Sequence, residues 1–317
     1  MRRPASLMAM SVLVTTALLL TACGAERAGY DSSGTGASGA SSSPARVDDP
    51  GKDGVRITSL TLPPASASPT HGTSVSADDL AARPDSGIVA TFEVTNSTTR
   101  ALTYSVVFTF LSGDGGAMAN QTATVRDVGP GKTVRGSVRA GELAPGARRV
   151  SRAKVLVVNK VPAGEAVTPA GTCPPSGIRV SADDGDAAMG LRVVGLHLDN
   201  CGKRDYAIEG YPRVELLDDD LNPVTGIAIL RGSGDITTGA GPDEHPRPLT
   251  LKPGESAQAS LVWRNTTESG TAANIPYVRV RAKAGSAPVT VAPHLDLGTT
   301  GRLGVRPWTK AKTGTRS

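Results

Sequence analysis

Residues 88–96 read IVATFEVTN, and the apolar residues of this stretch alternate with other residue types. Successive side chains of a β-strand point to opposite faces, so Ile88, Ala90, Phe92 and Val94 would share one face. The same alternation recurs in YSVVFTFL, at residues 104–111. Both stretches are typical of half-buried strands that pack against a second sheet.

The segments that follow extend this pattern into a complete domain. In ARRVSRAKVLVVNKV the alternation predicts that Ala153, Val155 and Val157 point inward. No segment shows the period of an amphipathic helix. We therefore expect one β-sandwich over residues 55–161, with LPPASASPTHGTSVSADDLAARPDSG as a long exposed excursion.

A second β pattern begins after residues 162–170, a Pro, Ala and Gly-rich segment typical of an interdomain linker. GLRVVGLHLDNC places His197 opposite an apolar face, and PLTLKPGESAQASLVWRN predicts a hairpin around Pro253 and Gly254. A second sandwich is expected over residues 171–308, followed by a disordered basic tail at 309–317, so the fold class is all-β. The predicted inward residues are Val194, Leu196, Leu198, Ala257, Ala259, Leu261 and Trp263.

The beginning of the chain has the layout of an export signal. Arg2 and Arg3 precede an apolar run, Leu7 to Leu20, that is too short to span a bilayer comfortably. The run ends in LTACG around Cys23, which resembles the bacterial lipobox. We expect residues 1–22 to be removed and Cys23 to carry acyl chains such as palmitate, which would anchor the protein to the extracytoplasmic face of the cell membrane. The alternative is an ordinary signal peptide with a cysteine nearby by chance.

Residues 23–54 contain mainly Gly, Ser and Ala, with little to bury, and are predicted to be a flexible tether. The formal charge of the whole chain is +5, and it falls to +3 once the two leader arginines are removed. Aromatic residues are 3% of the chain and do not alternate with basic clusters, so stacking platforms for nucleic acid are missing. A nucleic-acid partner is therefore not expected.

If Cys23 carries lipid, Cys173 and Cys201 remain as an even pair in an oxidising compartment. A disulfide between them is the expected outcome. A redox role is the weaker alternative, because the two cysteines lack the Cys-x-x-Cys spacing of exchange chemistry.

Several short motifs resemble chemical sites without completing them. Gly131–Thr133 lacks the first glycine and the helix of a phosphate-binding loop, so a turn is expected. Asp218, Asp220 and Asn222 have calcium-loop spacing, but Pro223 replaces the needed glycine, and a hairpin turn is favoured.

The acidic loop with Asp183, Asp184 and Asp186 is a candidate for adventitious calcium binding. A transition-metal site would need the fold to gather the dispersed histidines His71, His197, His245 and His294. The Gly-rich segment at residues 231–248 is predicted to be a mobile loop, and exposed loops are where sandwich domains usually carry binding residues.

The few methionines and the missing nucleophile motifs exclude further classes of function. Met118 and Met189 are the methionines that remain after the leader, too few for a methionine-rich copper carrier. The chain has no Gly-x-Ser-x-Gly elbow, and it would keep no free thiol for a Cys/His pair. We therefore expect surface histidines, no cofactor, no metal site and no catalytic residue.

The second domain resembles the family called domain of unknown function 4232 over about residues 171–308. The resemblance implies an immunoglobulin-like β fold with a disulfide between Cys173 and Cys201, found in exported and lipid-anchored proteins, and it implies no activity. Its motifs here are LDNCG at Leu198–Gly202, GYP at Gly210–Pro212, LKPGE at Leu251–Glu255, LVWRN at Leu261–Asn265 and LDLGTT at Leu295–Thr300.

The first domain, through VTNSTTRALTYSVVFTFLSGDGG and VGPGKT, resembles the FxLYD type of extracellular β module. Phe108 and Leu111 fit the motif that names this family, whereas Ser112 and Gly113 stand where its Tyr and Asp would be.

Taken together, these patterns predict a membrane-anchored lipoprotein that acts as a binding or structural module of the cell envelope, without catalysis. Its partner would be an unknown envelope protein or polymer. Two alternatives stay open: an envelope enzyme whose carboxylates meet only in the folded chain, and a carrier of a small ligand or metal.

Overall fold

Strands form where the alternating patterns predict them. The computed structural model describes residues 45–47, 49–63, 85–239 and 243–311. Within these ranges one 3-10 turn, Ala163–Glu165, is the helical element, and no helix is long and apolar enough to cross a membrane. The predictions for the leader, for Cys23, for residues 24–44, for His71 and for residues 64–84 of the exposed excursion lie outside the described residues. The all-β prediction with sandwich domains is confirmed.

The first module is a sandwich of two antiparallel sheets, ordered β1-β2-β3-β6 and β5-β4-β7. Its core lies between the sheets, and the rings of Phe92 and Phe108 meet there with centroids 4.6 Å apart. Its strands are β1 (Ala45–Arg46), β2 (Val55–Thr61), β3 (Val89–Thr95), β4 (Leu102–Ser112), β5 (Ala117–Val128), β6 (Thr133–Arg139) and β7 (Val150–Pro162).

The second module has a larger sheet ordered β13-β20-β15-β10-β8, in which β21 also pairs with β15 and β9 with β10. A sheet ordered β12-β17-β18 and the pairs β11-β14 and β16-β19 complete it. Its strands are β8 (Ile178–Ala182), β9 (Asp186–Ala188), β10 (Leu191–Asn200), β11 (Tyr206–Ile208), β12 (Arg213–Leu217), β13 (Ala228–Arg231), β14 (Leu249–Leu251), β15 (Ser256–Arg264), β16 (Ala273–Ile275), β17 (Tyr277–Arg281), β18 (Val289–Val291), β19 (Leu295–Gly298), β20 (Arg302–Val305) and β21 (Thr309–Lys310).

The predicted inward faces of β3, β4, β10 and β15 are all buried. The prediction for β7 is wrong at one position. Val107 lies opposite Val157 while Phe108 lies opposite Val155, so β7 contains one extra residue, Leu156. This bulge moves Val157 to the outward face and buries Val158 instead.

The predicted tether is shorter than expected at its C-terminal end. Residues 45 and 46 form β1 and pair with β2, and the half-buried side chain of Val47 packs against the first core. The Asp49 carboxylate accepts hydrogen bonds from the backbone amides of Gly51 and Ile57, at 3.2 Å each. The last part of the segment 23–54 therefore belongs to the folded first module.

The predicted disordered tail also begins too early. Thr309 and Lys310 form β21, and they lie opposite Gln258 and Ala257 of β15. The ammonium of Lys310 is 2.8 Å from a carboxylate oxygen of Glu255. Residues 312–317 lie outside the described ranges.

A buried asparagine closes one corner of the first module. Asn96 Nδ2 donates to the carbonyl oxygens of Arg100 and Val128, at 2.7 Å each, and its Oδ1 accepts the amide of Thr98 at 3.0 Å. Its carbonyl accepts the amide of Gly131 at 2.7 Å. The side chain thus joins the end of β3 to the end of β5, and the backbone carbonyl joins it to the turn before β6.

Asn200 has the same set of partners in the second module. Its Nδ2 donates to Arg204 O at 2.8 Å and Leu251 O at 2.7 Å, and its Oδ1 accepts the amide of Gly202 at 3.2 Å. Its carbonyl accepts the amide of Gly254 at 2.7 Å. Both modules therefore contain the same local motif. In each, the asparagine side chain donates to the carbonyl of an arginine four residues later, and the asparagine carbonyl accepts the glycine amide of a Pro-Gly turn.

The turn between β9 and β10 carries the most exposed methionine of the described residues. Met189 has φ 48° and Gly190 has φ 81°, so two consecutive residues adopt the left-handed conformation of a tight hairpin turn. The side chain of Met189 is 99% exposed. It therefore contributes nothing to either core.

Candidate functional site

A groove of about 640 Å³ lies between the two modules. Its floor is the outward face of β4, β5 and β7, where Ser105 lies opposite both Thr124 and Asn159. These side chains point away from the core because their neighbours Tyr104 and Val106 point into it. The floor is consequently rich in hydroxyl and amide groups.

The walls of the groove come from three other parts of the chain. The linker residues 166–170 form one side, and β8 with the loop after it forms the opposite side. Thr290–Pro293 close one end. The charged groups of the groove are Arg126, Arg179, Asp183 and Asp184.

The linker is held in place at the edge of this groove. Glu165 Oε2 accepts a hydrogen bond from Arg279 Nε at 2.8 Å and another from Thr290 Oγ1 at 2.6 Å. Arg126 of the first module donates to the carbonyl of Val167 at 3.2 Å. The segment that the composition identifies as a linker is thus bonded on both sides.

Direct contacts between the modules surround the linker. The amide of Lys160 donates to the hydroxyl of Tyr277 at 3.0 Å. Tyr277, Leu217 and Leu221 come from the second module but pack in the core of the first. Both modules fall within one compact unit, and burial in this contact raises the pKa of the Tyr277 hydroxyl.

Asn159 on the groove floor has one unsatisfied atom. Its Oδ1 is buried and has no hydrogen-bond partner among the described residues. A buried acceptor without a partner costs free energy, and χ2 of asparagine is a broad torsion. The groove floor therefore includes a buried acceptor that no described group satisfies.

Asp183 organises the loop that forms the opposite wall. Its Oδ1 accepts the amides of Gly185 at 3.0 Å and Gly195 at 2.8 Å, and its Oδ2 lies 3.1 Å from His197 Nε2. Within the described ranges no hydroxyl or thiol is hydrogen-bonded to His197. The pair therefore lacks the third partner of a nucleophilic triad.

The predicted disulfide is confirmed, since Cys173 and Cys201 are bonded across a sequence separation of 28 residues. The predicted hairpin turn at Asp218 is also confirmed, because its Oδ1 accepts the amides of Asp220 at 2.9 Å and Asn222 at 2.8 Å. Gly131 and Lys132 lie in the turn between β5 and β6, as expected, and Thr133 begins β6.

The predicted metal candidates stay apart where the structure describes them. His197 is partly exposed, and His245 and His294 are exposed. In the described part of the chain no three His, Cys, Asp or Glu side chains converge in a group that could hold a metal ion. The acidic loop at Asp183, Asp184 and Asp186 is used instead to fix its own backbone through Asp183.

The Gly-rich loop at residues 231–248 contains a residue whose role the sequence did not reveal. Asp243 accepts the amides of Ser233 at 2.7 Å and Gly234 at 2.9 Å, and the Ser233 hydroxyl at 2.8 Å. Burial alone would raise the pKa of Asp243, but these hydrogen bonds and the nearby Arg306 hold it below its ordinary value. The described part of the predicted mobile loop is therefore fastened by one carboxylate.

Comparison with known proteins identifies the second module only. Residues 173–309 match the model of the family described as domain of unknown function (DUF4232). This match confirms the resemblance seen in the sequence and adds no activity to it. No curated protein matches the chain. The resemblance of the first module to the FxLYD type stays a prediction.

Proposed function

We propose that this protein is a lipid-anchored lipoprotein of the extracytoplasmic face, whose two β modules together bind a polymer of the cell envelope. The groove between the modules carries this proposal. Its hydroxyl, amide and guanidinium groups offer many hydrogen-bond donors and acceptors on a shallow surface, which suits a hydroxyl-rich chain better than an apolar ligand. No catalytic step is assigned to it.

Two further observations support the location. The disulfide between Cys173 and Cys201 is of the kind that persists in an oxidising compartment outside the cytoplasm. The lipobox-like residues around Cys23 supply an attachment point for acyl chains. Either feature alone would fit many exported proteins, and their combination favours an anchored one.

The anchor is tested by replacing the acylated residue. Cells that produce the Cys23→Ser variant should release the protein into the medium, whereas the unchanged chain should stay in the membrane fraction. A variant that remains in the membrane fraction, or a mature amino terminus that carries an unmodified thiol by mass spectrometry, would contradict the proposal.

The groove is tested separately with a bulky substitution on its floor. Thr124 is exposed there, so Thr124→Trp should fill the groove without disturbing the core. Ser137→Trp, at an exposed position on β6 in the other sheet, is the matched control. In sedimentation assays with purified peptidoglycan and purified envelope polysaccharide, Thr124→Trp should lose binding to one of them and Ser137→Trp should retain it. Equal binding by both variants, or no binding by the unchanged chain, would refute the groove as the site.

A further inference from the structure

A second cavity, of about 460 Å³, lies beside the disulfide, between the linker and the second module. Its volume falls within the range of small-molecule sites in proteins. Most of the lining is apolar, and no aspartate or glutamate contributes to it. The principal apolar side chains are those of Pro174, Pro175, Ile178, Tyr206, Pro288 and Val289.

Covalent and backbone contacts fix one wall of this cavity. Cys173 precedes Pro174 and Pro175 and is bonded to Cys201. The backbones of Gly177 and Gly202 approach so closely that a Cβ on Gly177 would come within 3.0 Å of the Gly202 Cα. The proline wall is therefore held against the body of the second module.

The opposite wall is the turn between β17 and β18. The amide of Ser286 donates to Lys283 O at 3.2 Å, and the Ser286 hydroxyl donates to the same oxygen at 2.9 Å. Arg281 Nη1 donates to the carbonyl of Ser286 at 2.6 Å. These bonds fix the turn and thereby the position of Lys283 at the cavity.

Lys283 brings a positive charge to this apolar site. Its ammonium lies 4.2 Å from the centroid of the Tyr206 ring and donates to the carbonyl of Ala207 at 2.6 Å. No carboxylate among the described residues lies within salt-bridge distance of it, whereas the other cation of the lining, Arg179, is paired with Asp199 at 2.5 Å. The cavity therefore has one cation whose charge no acid of the described chain balances.

Tyr206 adds an aromatic surface and a donor. Its ring contacts the ammonium of Lys283 and lines the cavity. A tyrosine hydroxyl is protonated at neutral pH, and burial raises the pKa of this one further. A ligand would thus meet prolines and a neutral aromatic ring on its apolar part, and a positive charge at one end.

We propose that this cavity binds a small organic anion, with an apolar and preferably aromatic body between the proline wall and Tyr206, and a carboxylate or sulfonate head at Lys283. Charge complementarity favours an anionic ligand, because the cavity lining contains the ammonium of Lys283 and no aspartate or glutamate. The cavity shares Ala166, Thr168 and Arg179 with the lining of the groove between the modules, but this proposal does not depend on any envelope polymer.

Two fluorescent probes with the same apolar body test separately whether the cavity binds that body and whether Lys283 binds an anionic head. The anion 8-anilinonaphthalene-1-sulfonate and the neutral N-phenyl-1-naphthylamine share one ring system and differ in the sulfonate. Fluorescence titrations use the full mature chain with Cys23→Ser. The unchanged cavity should bind both probes and prefer the anion by about tenfold, the ratio expected from ~1.4 kcal/mol of charge-assisted interaction.

Variants then assign the preference to named groups. Lys283→Met should remove the preference for the anion and leave the affinity for the neutral probe unchanged, while Lys283→Arg should preserve it. Ala287→Trp, at an exposed position of the lining, should weaken both probes. Lys154→Met, at an exposed position on β7, is the charge-matched control and should change neither. Equal anion affinity in Lys283→Met and Lys154→Met, or unchanged binding in Ala287→Trp, would overturn the proposal.

Discussion

At the scale of single residues, the two buried asparagines carry the clearest energetic consequence. Replacing Asn200 with alanine would leave the carbonyls of Arg204 and Leu251 without their side-chain donor inside the protein. We expect Asn200→Ala and Asn96→Ala each to lower the free energy of unfolding by about 3 kcal/mol. Urea denaturation measures the loss, with the exposed Asn120→Ala as the control.

An isosteric replacement tests whether donation is the cause. Asn200→Asp keeps the size of the side chain but would place carboxyl oxygens against the same two carbonyls. We expect it to destabilise more at pH 7 than at pH 3, because only the protonated carboxyl can donate. A variant as stable as the unchanged chain at pH 7 would show that the hydrogen bonds of Nδ2 are not what matters.

The environment of Glu93 predicts how the free energy of unfolding changes with pH. Hydrogen bonds from Arg56 and Arg135 hold the pKa of Glu93 below its ordinary value of 4.5. Its contribution is therefore present above pH 4.5 and is lost as the pH falls through the lowered pKa of the folded state.

The measurement compares the urea midpoints of the unchanged chain and of Glu93→Gln between pH 7 and pH 2. The difference between the two midpoints should be largest near neutral pH and should shrink under acid conditions. A difference that stays constant over this range would mean that the pair of arginines does not stabilise the ionised carboxylate.

At the scale of elements, the loop after β13 depends on one carboxylate. Asp243→Asn keeps one oxygen acceptor but removes the negative charge that faces Arg306 at 3.3 Å. We expect the amides of Ser233 and Gly234 to exchange hydrogen at least tenfold faster in this variant, because their acceptor is weakened. Hydrogen-exchange mass spectrometry of the loop peptide reports this change, and Asp235→Asn, an exposed position in the same loop, is the control.

The pH dependence of the same loop follows from the lowered pKa of Asp243. The loop should stay fastened at neutral pH and become more exchangeable as the pH falls below the ordinary aspartate value of 3.8. Exchange rates corrected for their intrinsic dependence on pH should show this rise in the unchanged chain and in Asp235→Asn, which both keep Asp243, but not in Asp243→Asn. Identical corrected rates in the unchanged chain and in Asp243→Asn would contradict the role of Asp243.

The elements also show how far the sequence alone leads. Alternation predicted the buried faces of β3, β4, β10 and β15, because burial of one sheet face leaves a period of two in the residues. The bulge at Leu156 could not be predicted, since a run of valines around it fits either register. β1 and β21 were missed for a related reason, since strands of two residues are too short to show alternation.

At the scale of the whole molecule, the contacts of the linker predict joint unfolding of the modules. We expect one calorimetric transition for the unchanged chain. The double variant Glu165→Ala/Tyr277→Phe removes the bonds of Glu165 to Arg279 and Thr290 and the acceptor of the Lys160 amide. Its thermogram should separate into two transitions.

Glu215→Ala is the matched control for this experiment. Glu215 accepts a hydrogen bond from Nη1 of the same Arg279, at 2.7 Å, but it lies on β12 within the second module. Its removal should shift the single transition without dividing it. A single transition in the double variant would show that other contacts couple the modules.

The candidate site illustrates what only the fold could provide. Thr103, Ser105, Thr124 and Asn159 read as ordinary polar positions of strands, and Arg179 and Asp183 lie in another module. No spacing in the sequence relates these groups, because the groove arises where one sheet face meets the linker and β8. The disulfide was predictable because pairing two cysteines requires no knowledge of the fold.

The exposed turn at Met189 has a chemical consequence under oxidising conditions. A thioether that packs against nothing can become a sulfoxide without disturbing any core, whereas Met118 is partly packed against the first core. Under dilute hydrogen peroxide, peptide mass spectrometry should find Met189 oxidised first, with an unchanged unfolding midpoint. Prior oxidation of Met118 would contradict this order. The thioether of Met189 would then react with oxidants before the partly packed Met118 does, without loss of stability.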